Sequence, residues 1–143
     1  SDAETYRMII EAMAEQLRQY DPQICLGIES RGFIFAAALA RELSTGLAIV
    51  RKPGKLPFTT HKVSYDLEYG SDTLEIHTDA VARGQRVAVI DDVLATGGTA
   101  AGTVRLVNNI GGEVVCVSTL IELAFLNGRK RLDGTPFEAL ISY

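Results

Sequence analysis

An α/β fold built on an open parallel sheet, with helices on both faces and one β-hairpin set apart as a flap, is what this sequence predicts. Three observations predict it. Short runs rich in β-branched residues recur, ICLGI at 24–28, GLAIV at 46–50, VAVI at 87–90 and VVCVSTL at 114–120, and read as strands buried on both faces. Helical patterns lie between most of them, the alternation that builds parallel sheets. The exception is SYDLEYGSDTLEIH at 64–77. There Tyr65, Leu67 and Tyr69 alternate on one side of Gly70-Ser71, and Leu74 and Ile76 are placed to pair across, which predicts a hairpin.

The composition suits one domain covering residues 1–143. Of the 143 residues, 47% are apolar and 22% charged, enough for a core, and no repeat or linker interrupts them. A formal charge of −4 argues against general nucleic-acid binding, so any anionic ligand must be held by local positive charge. No stretch has the length and apolarity of a membrane span, and no signal-peptide pattern opens the chain; the expected location is the cytoplasm. Cys25 and Cys116 each sit inside an apolar run with no metal-ligand spacing around them, and are expected to be reduced core thiols.

Residues 1–20 carry Tyr6, Ile9, Ile10, Met13 and Leu17 at helical spacing, and Ser1 with Glu4 has the spacing of a capping box. Asp21-Pro22 ends that helix and the first strand follows. Next comes Glu29-Ser30-Arg31-Gly32 and an Ala-rich helix at 33–43. A cation and a glycine at a strand-to-helix turn suit an anion resting on backbone N–H groups. After the strand at 46–50 comes RKPGKLP, a stiff basic loop with Arg51, Lys52 and Lys55. Residues 58–62 show no strong period and are expected to be mobile; His61 and His77 are read as surface residues.

The most informative stretch is VAVIDDVLATGGTAA at 87–101. Asp91 and Asp92 stand at the carboxyl end of an apolar strand, where open α/β sheets bind ligands. Ala95, Thr96, Gly97, Gly98 and Thr99 then form a loop of small residues opening a helix at 99–109. Without Cβ atoms at Gly97 and Gly98 the backbone can close around a phosphate, and the helix presents its positive end to it. The upstream carboxylates would repel a phosphate and so suit a sugar diol. The helix stops at Gly111-Gly112. Residues 126–132 read as a short helix or turn with a basic face, and 137–143 as a last edge strand.

At these residues the stretch resembles the motif by which type I phosphoribosyltransferases bind 5-phosphoribosyl-1-pyrophosphate (PRPP). The resemblance implies that the acids hold the ribose hydroxyls and the loop the 5′-phosphate. Four further segments, GIESRGFIF, RKPGKLP, YDLEYGSDTLEIH and IELAFLNGR, resemble the adenine-specific members in their order along the chain. By that resemblance Ser30, Arg31, Gly32, Arg51, Lys52 and Lys55 face pyrophosphate, and a cis peptide joins Glu29 to Ser30. The hairpin, with Tyr69, closes over the site. Hypoxanthine-type relatives place an acid where this chain has Ala95; the matching carboxylate for the purine is Glu68. Substrates and products would be PRPP, adenine, AMP and pyrophosphate, with Mg²⁺ bound through PRPP oxygens near Asp91 and Asp92 rather than by a dedicated protein site. The enzyme would be a homodimer in purine salvage; a PRPP-sensing module without turnover is the alternative.

Adenine enzymes resembling this chain also carry an N-terminal hood, P-x-P-G-φ-x-F-x-D, ahead of the first helix, and this sequence starts inside that helix. Weak adenine binding is therefore expected. At about 25 cal/mol per Å², roughly 100 Å² of lost apolar cover costs about 2.5 kcal/mol.

Overall fold

The computed structural model describes residues 2–67 and 70–143. Five strands form one fully parallel sheet: β1 (Ile24–Ile28), β2 (Gly46–Val50), β5 (Arg86–Leu94), β6 (Glu113–Glu122) and β7 (Phe137–Ser142), in the order β2-β1-β5-β6-β7. A separate antiparallel pair, β3 (Thr60–Leu67) and β4 (Gly70–His77), makes the hairpin. Helices α1 (Ala3–Arg18) and α2 (Gly32–Leu43) cover one face, and α3 (Gly98–Asn109) covers the other together with the hairpin.

The period of two along each strand divides the core into two layers. On β1 and β5, Leu26, Ile28, Val87 and Val89 join Leu106, Val107, Leu74 and Ile76 beneath α3 and the hairpin. Their alternates Cys25, Ala88 and Ile90 join Met13, Leu17 and Leu39 beneath α1 and α2. Both cysteines are buried and free, as the apolar runs around them predict. Each fully buried Leu or Met contributes on the order of 2 kcal/mol, so the two layers together outweigh any surface ion pair.

Four element boundaries differ from the sequence reading. The cap of α1 is Asp2, whose carboxylate accepts from the Thr5 N–H at 2.6 Å; an Asp one position further in serves as well as a Ser cap. In the hairpin, Leu67 pairs with Gly70 and Asp66 with Ser71, so Gly70-Ser71 belongs to β4 rather than to the turn. The same ladder starts at Thr60 opposite His77, which turns part of the aperiodic 58–62 stretch into strand, because cross-strand pairing replaces a hydrophobic pattern there. Strand β5 runs on through both acids to Leu94, paired with β6 up to Glu122.

Candidate active site

Parallel pairing of β2, β1 and β5 as immediate neighbours sends the chain segments after Val50, Ile28 and Ile90 out of one edge of the sheet side by side. Three stretches far apart in sequence thereby meet: the basic loop at 51–55, the turn at 29–32 and the acid pair with its glycine loop at 91–99. This is the carboxyl edge where ligands bind in open α/β sheets.

The turn at 29–32 lies directly on β5. Its Glu29–Ser30 peptide is cis, as the resemblance implies. Gly32 is buried, and a Cβ there would stand 2.7 Å from the Ile90 carbonyl oxygen and 3.1 Å from Asp91 Oδ1; only glycine lets the turn approach so closely. That approach brings the Arg31 Nε–H to Asp92 Oδ2 in an ion pair, with the guanidinium well exposed. An exposed pair adds little stability, so its effect is to aim Arg31 across the acids. Asp91 is half-buried and accepts from the Asp92 backbone N–H at 2.9 Å. Burial pushes its carboxyl up to about 7, with the neighbouring Asp92 adding to the rise.

The glycine loop is built by backbone packing. Gly97 has φ +84°, a left-handed conformation, and caps α3 with no side-chain hydrogen bond to the first turn. The N–H groups at that helix end remain open to an anion. Residues 93–97 with Thr99 and Ala100 line a recess of about 80 Å³. Behind it stands Gly128: a Cβ on Gly97 would run into the Gly128 carbonyl, and one on Gly128 into the carbonyl of Ala95. Arg129, next in the chain, is clamped by the buried Glu122 carboxylate at 2.5 and 2.7 Å and stacks 4.6 Å from the Phe137 ring centroid.

The basic loop is tied at its start by a backbone pair, the Arg51 N–H to the Glu75 carbonyl at 3.0 Å and the Glu75 N–H to the Arg51 carbonyl at 2.8 Å, and beyond that by charge. Glu29, its side chain only 10% exposed, accepts from the Lys52 backbone N–H at 2.8 Å and from Lys55 Nζ at 2.5 Å, with Arg51 Nε at 3.4 Å. Burial opposes the Glu29 charge, but Lys55, the Lys52 amide and Arg51 together outweigh it and hold the carboxyl down at about 2. Lys52 Nζ forms a salt bridge with Asp72 of the hairpin and lies 3.3 Å from the Tyr65 hydroxyl.

Of the residues singled out in the sequence, Ser30, Arg31, Gly32, Arg51, Lys52, Lys55, Asp91, Asp92 and residues 95–99 are thus gathered on one edge. Glu68 and Tyr69 lie outside the described residues. In place of a free cationic cluster, the cations have carboxylate partners: Arg31 on Asp92, Lys55 and Arg51 on Glu29, Lys52 on Asp72. Glu29, Tyr65, Asp72 and Gly128 went unrecognised as parts of the site. Tyr65 had a visible signal, a hydroxyl on the apolar side of a hairpin; Gly128 lies in the segment IELAFLNGR, but its packing on Gly97 acts only across space.

The architecture has close counterparts. A phosphoribosyl transferase domain model matches residues 2–137. The adenine phosphoribosyltransferase of Desulfitobacterium hafniense is 51% identical over 142 residues, covering 99% of this chain and 82% of the relative. The chain belongs to the adenine phosphoribosyltransferase family. The crystal structure of the family member from Thermoanaerobacter pseudethanolicus superposes with a TM-score of 0.97 at 48% identity, over 99% of this chain and 83% of that one. The Saccharomyces cerevisiae member, crystallised with an imino-altritol bisphosphate and adenine, gives 0.92 at 36% identity, over 97% and 81%. The three loops that meet at this edge all lie within the matched residues.

Proposed function

We propose that this chain transfers the 5-phosphoribosyl group of PRPP to adenine, forming AMP and pyrophosphate in purine salvage. The observation that carries the reading is the succession along one sheet edge of a basic loop, an acid pair and a glycine recess. Pyrophosphate would lie at Arg31, Arg51, Lys52 and Lys55, the ribose diol on Asp91 and Asp92, and the 5′-phosphate on residues 95–99. A purine nitrogen attacks C1 of the ribose as the C1–oxygen bond to pyrophosphate breaks. Positive charge developing on the ribose is offset by Asp91 and Asp92, and negative charge on the departing group by the cations. Positioning does most of the work, because little covalent chemistry is asked of the protein.

Glu68 and Tyr69 are assigned to the purine side and the closing flap by family resemblance. The two adjacent carboxylates supply hard oxygen donors that suit Mg²⁺, and among the described residues no cluster of three His, Cys, Asp or Glu side chains could hold a metal. The family resemblance implies an ion carried mainly by PRPP oxygens near Asp91 and Asp92, where it would neutralise pyrophosphate charge. No helix among the described residues is long and apolar enough to cross a membrane; a cytoplasmic homodimer forming one domain is proposed. Exposed Tyr6 and Ile34, joined by a 3.1 Å bond from the tyrosine hydroxyl to the Ile34 carbonyl, offer an apolar contact for a second copy.

The test is release of pyrophosphate from PRPP and Mg²⁺ with adenine or with hypoxanthine. Turnover with adenine alone is expected, and Asp91→Asn combined with Asp92→Asn should lower it by at least about a thousandfold, as both diol acceptors lose charge. Tight PRPP binding without turnover by the wild-type chain would favour the sensing module; near wild-type rates in the double variant would remove the acids from the mechanism.

A further inference from the structure

A polar junction at Tyr65 joins the hairpin to both of the loops proposed to bind phosphate. Tyr65 is 3% exposed, and its ring packs on Gly102 of α3, where a Cβ would stand 2.8 Å from Cδ1. Its hydroxyl lies 3.3 Å from Thr99 Oγ1 in the glycine loop, 3.3 Å from Lys52 Nζ in the basic loop and 3.4 Å from Asp72 Oδ2 on the neighbouring strand. Asp72 in turn bridges to Lys52 through the same oxygen, while its Oδ1 accepts from the Thr73 N–H at 2.8 Å. The loops that would hold the two ends of PRPP are therefore connected by three side chains.

A tyrosine hydroxyl has one proton and, at this junction, two acceptors for it. It donates either to Asp72, accepting from Thr99, or to Thr99, accepting from Lys52. An anion in the glycine recess decides between them. Thr99 then gives its proton to the anion and its oxygen accepts from Tyr65, and the Tyr65 oxygen accepts from Lys52. One directional chain results, Lys52 to Tyr65 to Thr99 to anion, in which each bond polarises the next. Asp72, no longer receiving the tyrosine proton, is left wholly to orient the Lys52 ammonium, which keeps a third proton for a second anion.

We infer that Tyr65 and Asp72 are positioning residues that couple occupation of the 5′-phosphate recess to binding of pyrophosphate at Lys52. The inference rests on the PRPP reading of this site and adds to it a coupling between its two ends. The coupling is reciprocal, since each ligand must raise the affinity of the other by the same factor.

Calorimetry with ribose 5-phosphate and with pyrophosphate, in the presence of Mg²⁺, alone and each in the presence of the other, tests it on the full chain. In the wild type each ligand should tighten the other by about fivefold or more. Tyr65→Phe keeps the ring on Gly102 and removes only the hydroxyl; with it the factor by which each ligand tightens the other should fall to about one, whatever the affinity for each ligand alone. Asp72→Asn should also lose the coupling, and Asp72→Glu should restore part of it, which a purely structural role would not predict. Full coupling in Tyr65→Phe, or two ligands that bind the wild type independently, would overturn the inference and leave the site assignment standing. Failure of the wild type to bind either ligand would overturn the site assignment and the inference with it.

Discussion

The two loops proposed to bind anions are held in place by largely different means. The glycine loop at 95–99 is fixed by backbone: a left-handed Gly97 abuts Gly128, and the helix behind it is anchored in the α3 core layer. The basic loop at 51–55 is tied by backbone only at its first residue, where Arg51 pairs with Glu75, and beyond that is fixed by side-chain charge, through Glu29 on one side and Asp72 on the other. A backbone cradle presents the same N–H groups whether filled or empty, which suits a phosphate that stays on the product. Ion pairs can exchange partners, which suits a pyrophosphate that must leave. The comparison also separates the devices used: the glycine loop has a positive-φ glycine packed on a second glycine, whereas the basic loop has carboxylates that neutralise its cations.

The largest expected effect breaks the backbone-held side. Gly97→Ala combines a positive φ, which costs a non-glycine residue about 1–3 kcal/mol, with a collision against the Gly128 carbonyl. Affinity for ribose 5-phosphate should fall by about a hundredfold or more, read by calorimetry, with thermal stability lowered as well. Unchanged affinity would mean that the loop is not the phosphate cradle.

A smaller effect is expected on the charge-held side. Glu29→Gln removes the carboxylate shared by Lys55, Arg51 and the Lys52 amide but leaves the sheet intact. The apparent KM for PRPP should rise by about tenfold, the scale of one or two charge-assisted hydrogen bonds, while affinity for ribose 5-phosphate changes little. Equal losses for both ligands would erase the distinction between the loops.

The smallest effect is a difference in pH response. Glu29 has its carboxyl held down at about 2, so it stabilises the basic loop fully above the unfolded-state value near 4.5 and loses that contribution as pH falls towards 2. Residues 95–99 contain no titratable side chain. Amide exchange, corrected for its intrinsic pH dependence, should show protection of the Lys52 N–H declining between about pH 4.5 and pH 2. The Ala101 N–H, bonded to the Gly97 carbonyl at 2.9 Å, should hold its protection until the chain unfolds globally. Parallel loss at both amides would show that the loops share one mode of support.

By itself the sequence determined the elements and marked the segments proposed to bind ligand. Apolar runs of period two, helices of period near four and a Gly-Gly turn after paired acids report on local backbone preference, and those preferences survive in β1, β2, β5, α2 and α3 because the core layers agree with them. It also marked Arg31, Lys52, Lys55, Asp91 and Asp92, since charged residues just after buried strands have one edge on which to emerge. Tertiary structure alone decided what each charge faces. Whether Lys55 is free or bound to Glu29, whether Arg31 lies over Asp92, and that Asp72 meets Lys52 depend on the order β2-β1-β5 and on how the hairpin docks on α3. The same holds for Gly128, whose value lies in the atom it lacks, thirty-one positions along the chain from the Gly97 it accommodates. Such pairings are set by distances across the fold, and no local pattern of residues encodes a distance between segments so far apart in the chain.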